Sequence, residues 1–168
     1  MANDNWITPD WLFIWLNNEI QKRFNLRFDV DLAADSKNTK VDLYIDKTTN
    51  SLNVAWHKES TCGFCNPPYS KPNLPEFTQK AFQEGLLGYT SVLLVPFDIT
   101  GWFREWVANK AEIWVPNERI PFIEPETGKP IGTPPKGSML VLYGPRVQVG
   151  RWEVVHIPRW IPKELRTA

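Results

Sequence analysis

The stretch Cys62–Phe97, CGFCNPPYSKPNLPEFTQKAFQEGLLGYTSVLLVPF, reads as strand, helix, strand. CGFC is a short apolar run halted at Pro67 and Pro68, because two successive prolines have no N–H to donate to a sheet ladder. From Leu74 to Gly88 the spacing predicts a helix, with Leu74, Phe77 and Ala81 on its inner face and Gly88 as its stop. Thr90–Phe97, TSVLLVPF, is a near-continuous apolar run, the pattern of a parallel-sheet strand covered on both faces.

Working outward, the same alternation recurs. TPDWLFIWLNNEIQKRF predicts a helix, with Thr8 as N-cap, Pro9 at the first helical position, and Leu12, Leu16, Ile20 and Phe24 as an apolar stripe. RFDVDLAA and VDLYI then read as strands. Downstream come a helix in TGWFREWVANKA, a strand in EIWV and a late strand in SMLVLYG. Strands alternating with helices predict an α/β fold with a mostly parallel sheet. No helix pattern separates the last two strands, so the end of the sheet is expected to be antiparallel. In such sheets ligands sit outside the carboxyl ends of the strands. DLAA and NPPY both fall at predicted carboxyl ends, so one crevice is expected to hold both. Residues 116–137 form a long polar loop rich in proline and glycine, of a length that is usually functional or mobile.

Composition narrows the field. A chain of 168 residues suits one domain with a proper core. Lys plus Arg and Asp plus Glu are 19 each, so any phosphate contact must come from local patches. No apolar run of membrane-spanning length and no secretory leader pattern is seen, which makes the cytosol the default expectation. Cys62 and Cys65 have redox-pair spacing. A zinc site needs more ligands, and His57 and His156 lack ligand spacing, so the pair reads as buried strand residues and no metal site is assigned.

The chemistry is concentrated in Asn66-Pro67-Pro68-Tyr69. A nucleobase exocyclic amine is a poor nucleophile because its lone pair is delocalised into the ring. Two acceptors aimed at its hydrogens draw the nitrogen toward tetrahedral geometry. The Asn66 side-chain oxygen and the Pro67 carbonyl, stiffened by the prolines, are such acceptors, and preorganised dipoles cost little reorganisation. Tyr69 offers a face for a base that has left its duplex. The same four residues also read as a plain strand stop and turn.

NPPYS resembles motif IV of the S-adenosylmethionine-dependent amino-methyltransferases. The ordered set W-x-TP, FDVDLAA, SLNVAW, CNPPYS, LLVPFDITGWF, EIWVPNERIPFI and GSMLVLYG resembles the small phage-type, Dam-like DNA N6-adenine methyltransferases over roughly residues 6–143. The resemblance implies a Rossmann-like methyltransferase fold with helices on both faces of the sheet, S-adenosylmethionine as cofactor, and methyl transfer to adenine N6 in double-stranded DNA with the base flipped out. It places Asn66, Pro67, Pro68 and Tyr69 around the target base. It places Trp6, Thr8, Pro9, Asp31, Leu32 and Ala33 against the donor, with Thr8 and Pro9 by its methionine end, Asp46 on a ribose hydroxyl and Asn50 near its adenine. The first motif, DLAAD, lacks the glycines many methyltransferases carry there.

No separate target-recognition domain is expected from this sequence, so Lys71 and the loop residues Arg119, Lys129 and Lys136 are the candidate DNA contacts. Residues 1–144 are expected to form the methyltransferase domain, and 145–168 an extension rich in Trp, Pro and basic residues, packed on or beside it. That extension either clamps DNA or sets Trp152 and Trp160 against a second subunit, which leaves a homodimer open. A phage-encoded enzyme of this kind would act in the host cytoplasm. RNA adenine, cytosine N4 or a protein glutamine are alternative planar-amine acceptors. A non-catalytic DNA-binding or partner subunit is the alternative outside enzymology.

Overall fold

The computed structural model describes residues 4–132 and 134–158. Helix α1, Asp10–Phe24, buries Leu12, Phe13, Leu16, Ile20 and Phe24, and Asn25 closes it in the left-handed conformation (φ 54°). Its N-cap is Pro9, with no side-chain capping bond, so Thr8 is not the cap its position suggested. The helix begins one residue later, and the Thr8 hydroxyl is left for another role.

Strand β1 is short, Val30–Asp31. A single 3₁₀ turn (Ser51–Asn53) and helix α2 (Trp56–Glu59) lead to β2, Cys62–Cys65. Helix α3, Asn73–Leu86, and strand β3, Thr90–Pro96, complete the strand–helix–strand unit expected there. Gly88, at φ +91°, makes the turn between them, a conformation L side chains resist. Helix α4 (Gly101–Trp106) is shorter than its apolar pattern suggested, because residues 107–110 continue as turns. Strands β4 (Glu112–Pro116), β5 (Ser138–Tyr143) and β6 (Trp152–Val155) follow.

The six strands form one sheet in the order β1-β2-β3-β5-β4-β6. All pairings are parallel except those of β5, which runs antiparallel to β3 and β4. This is the mostly parallel α/β architecture expected, consistent with an α/β methyltransferase fold. One detail differs: the antiparallel strand is inserted inside the sheet, and the outer edge is the parallel strand β6. The VDLYI strand is reduced to one bridge, in which the Asp31 N–H donates to the Leu43 carbonyl and Ile45 N–H to the Asp31 carbonyl, both at 2.9 Å.

Side chains alternate across β3 into two cores. Val92 and Leu94 meet α1, while Leu93 and Val95 meet α3 and α4. Helices thus cover both faces, which is why this strand is apolar throughout. Cys62 and Cys65 are buried, unbridged residues of β2, and burial pushes both thiols up, Cys62 to about 12. Gly63 admits a close approach: a Cβ there would lie 2.5 Å from Leu32 Cδ1. It lets Leu32, at the end of β1, lie flat on β2. Among the described residues no helix is long and apolar enough to cross a membrane. Trp160, Arg159, Lys163 and Arg166 of the basic extension lie outside the described residues.

Candidate functional site

The site grows from the carboxyl ends of β1 and β2. Their register pairs Asp31 with Phe64, so Leu32–Ala33 and Asn66 emerge side by side. The ladder of β2 ends at Cys65, opposite Leu93, whereas β3 runs on to Pro96. The Tyr69 hydroxyl takes up the overhang, donating to the Leu94 carbonyl at 3.1 Å. Burial of that hydroxyl pushes its pKa well up, so it stays a neutral donor, although the residue as a whole is only half-buried. The Asn66 side-chain N–H donates to the Trp6 carbonyl at 3.1 Å. An amide held through its nitrogen keeps its oxygen as a free acceptor. The Asp4 carboxylate accepts the backbone N–H groups of Tyr69 (2.7 Å) and Ser70 (2.8 Å), and bonds the Ser70 hydroxyl.

Beside this turn lies a cavity of about 890 Å³. Its walls include Trp6, Thr8, Asp31, Leu32, Ala33, Asp46, Asn50, Asn66 and Pro68. The structure thus gathers seven of the eight residues expected around the donor into one space; Pro9 lies off it, buried as the cap of α1. Two polar features distinguish the cavity. Thr8 is 3% exposed, and its hydroxyl has no hydrogen-bond partner. A buried, unsatisfied hydroxyl on a cavity wall is costly unless a ligand meets it. The lining is also acidic, with Asp4, Asp31, Asp35, Asp46, Glu76 and Glu126 against Lys40 and Lys47. Such a wall favours a cationic ligand.

The acids differ in state. Asp31 is 3% exposed, and burial raises its carboxyl to about 6 despite backbone N–H bonds from Lys40 (3.1 Å) and Ala33 (3.4 Å). The backbone N–H of Thr49, donating at 2.9 Å, holds Asp46 below the usual carboxylate range. Burial pushes the Asp4 carboxyl up, but the Ser70 hydroxyl and the N–H groups of Ser70 and Tyr69 outweigh it and keep the acid low. Asn50, at φ 59°, caps the following 3₁₀ turn by accepting the Leu52 N–H.

A second cavity, of about 310 Å³, lies on the other side of Trp6, which lines both. Tyr69, Leu74 and Phe122 give it apolar walls, with Pro134 and Pro135 at one side and Asp98, Lys136 and Ser138 as its polar groups. Asp98 and Lys136 form an ion pair at 2.8 Å. Pro67 lines neither space and is buried behind the turn.

Of the four basic residues expected to meet nucleic acid, Lys136 stands at the smaller cavity. Lys71 and Lys129 are exposed away from both cavities, and the Arg119 guanidinium is engaged with the Pro134 carbonyl, bracing the loop. Sequence reasoning missed Asp4, Asp98 and Ser138. No spacing links Asp4 to the turn it binds, 65 residues away. Asp98 alone had a usable signal, as the first charge after the apolar run of β3.

Comparison with known proteins shows what the chain is similar to. The family model for DNA N-6-adenine-methyltransferase (Dam) matches residues 1–158. A DNA N-6-adenine-methyltransferase of Haemophilus phage HP1 is 38% identical over 149 residues, covering 88% of this chain and 82% of that protein. One from Escherichia phage T1 is 32% identical over 157 residues, covering 84% of this chain and 63% of its own length.

Proposed function

This chain belongs to the DNA N-6-adenine-methyltransferase (Dam) family, and from that premise we propose that it transfers a methyl group from S-adenosylmethionine to the N6 amine of adenine in DNA. The observation that carries the reading is the position of Asn66, on the donor-cavity wall with Tyr69 turned to the smaller cavity and Trp6 common to both. The larger cavity takes the donor: the unpaired Thr8 hydroxyl and the acidic lining suit its polar amino-acid end and its sulfonium charge. The smaller one, about 310 Å³, takes a flipped adenine against Tyr69.

When bound, S-adenosylmethionine supplies an electrophilic methyl group, whose bond to sulfur breaks as the N6 lone pair bonds the carbon. The chain's part is to make that lone pair available and to aim it. The Asn66 amide, tied through its nitrogen to the Trp6 carbonyl, keeps its oxygen for an N6 hydrogen. Pro67 lines neither cavity, so its part is to stiffen, with Pro68, the turn that carries Asn66. Tyr69, pinned to β3 through its hydroxyl, supports the ring. No covalent enzyme intermediate is needed, and the methylated ammonium is acidic enough to lose its proton to solvent without a dedicated base. Lys136, at the smaller cavity, meets phosphate beside the flipped nucleotide, and the enzyme acts in the host cytoplasm.

The test is nucleoside mass spectrometry of plasmid DNA from a host lacking adenine methyltransferases. N6-methyladenine is expected with the wild type, and an at least 100-fold loss with Asn66→Ala, while calorimetric donor affinity stays within about threefold. Equal methylation by Asn66→Ala would refute the assigned role, and no N6-methyladenine from the wild type would refute the reaction.

A further inference from the structure

The proline pair that stiffens the catalytic turn also strips it of donors. Between the end of the β2 ladder at Cys65 and the start of α3 at Asn73, Pro67 and Pro68 carry no N–H. Tyr69 and Ser70 carry the first two after them, and both donate to a single oxygen of Asp4, at 2.7 and 2.8 Å. The other Asp4 oxygen bonds the Ser70 hydroxyl. Asn73 extends the network, donating through its side chain to the Ser70 carbonyl (2.8 Å) and hydroxyl oxygen (3.1 Å). Two residues on from Asp4, the Trp6 carbonyl takes the Asn66 amide. One further on, Ile7 exchanges backbone N–H and carbonyl bonds with Ile123, both at 2.9 Å, which anchors the segment to the 116–137 loop.

We propose that Asp4 is a positioning residue for methyl transfer, and that residues 4–7 splint the Asn66–Tyr69 turn against the donor cavity. The inference rests on the function proposed above and adds to it. The prolines fix the internal shape of the turn but not its placement, because nothing in the ladder holds it beyond Cys65. A carboxylate accepting two N–H groups and a hydroxyl supplies that placement through charge-assisted bonds. Asp4 touches neither reacting atom. It acts through Tyr69 and through the Trp6 carbonyl two residues on.

The experiment compares full-length wild type, Asp4→Ala, Asp4→Asn and Ser70→Ala, with kcat normalised to donor-binding sites counted by calorimetry. Asp4→Ala is expected to lose about 100-fold in site-normalised kcat, the scale of an ångström-sized misplacement, read at saturating donor because Asp4 also lines the donor cavity. Asp4→Asn keeps an acceptor oxygen and falls between Asp4→Ala and wild type. Ser70→Ala, which loses only the hydroxyl bond, falls a few-fold. A merely structural role would lower the number of donor-binding sites and leave kcat per site intact. Site-normalised kcat within threefold of wild type in Asp4→Ala, or in Asp4→Asn should the alanine variant not fold, overturns the proposal and leaves the proposed function standing. A wild type that makes no N6-methyladenine overturns both.

Discussion

The two cavities that share Trp6 are built on opposite principles. The larger carries six carboxylates against two lysines in its lining, a clear excess of negative charge. The smaller is walled by aromatic rings and prolines, and its one opposite-charge pair, Asp98–Lys136, neutralises itself. In the function proposed, the group that meets the amine is likewise a neutral dipole, the oxygen of the Asn66 amide held through its nitrogen. That division suits the reaction. A neutral amide accepts the amine's hydrogens without desolvating a charge beside the base. Changes on the two sides should therefore have different signatures. Acceptor-side variants should change turnover at constant donor affinity, and donor-side variants should change affinity and stability.

The largest contrast after Asn66 lies in Tyr69. Removing the ring removes the stacking surface, which for a base on an aromatic side chain amounts to about 1–3 kcal/mol. Tyr69→Ala is thus expected to lower kcat/KM for DNA by about 5- to 150-fold. Tyr69→Phe keeps the surface and loses only the bond to the Leu94 carbonyl, worth about 1 kcal/mol and so about fivefold. Steady-state kinetics with a short duplex checks both. Equal losses in the two variants would mean that the hydroxyl, and not the ring face, carries the effect.

How far the sequence alone leads follows the same division. β3, α1 and α3 were legible because both faces of β3 and one face of each helix are buried, which imposes continuous or periodic apolar patterns. NPPY was legible because its chemistry lies in four consecutive residues. What could not be read depends on contacts far apart in the chain. The smaller cavity joins Trp6, Tyr69, Phe122 and Pro134, and no spacing rule connects them. β6 carries the pattern exposed, half-buried, exposed, buried, too weak to announce a strand, and exists because β4 offers it an edge. VDLYI has strand composition, yet β1 is only two residues long and gives it nothing more to pair with. Thr8 ahead of Pro9 looks like a cap until the hydroxyl is seen to lack any bond at all.

On the donor side, Asp31 sharpens the comparison through pH. Burial raises its folded pKa to about 6 from an ordinary 3.8, so the ionised form is penalised in the folded state. The sign follows from linkage: between the two values the folded protein binds more protons than the unfolded, so this group's contribution falls as pH rises from about 4 to 6 and is lowest above that. Asp31→Asn removes the charge but also one acceptor of the Ala33 and Lys40 N–H groups. A net gain of about 1 kcal/mol is expected at pH 8, out of about 3 for the full shift, shrinking toward pH 5, together with about tenfold weaker donor binding. Thermal unfolding at the two pH values and donor calorimetry check it. A stability change of the same size at both pH values would break the assignment of the penalty to the buried charge.

The smallest expected effect tests whether the ion pair at the acceptor cavity is a resting position. Lys136 is exposed and its partner Asp98 about one-third so, a setting in which ion pairs contribute roughly 0–1 kcal/mol. Moving the ammonium from Asp98 to a DNA phosphate therefore costs little. The phosphate contact in turn releases about 0.9 of a counterion. Lys136→Ala is expected to weaken DNA binding a few-fold and to flatten the slope of log affinity against log salt by about one, with donor affinity and unfolding temperature unchanged. Fluorescence anisotropy across a salt series reads the slope directly. An unchanged slope would return Lys136 to a local role, holding Asp98 away from the base, and the acceptor cavity would then owe its neutrality to this pair even with DNA bound.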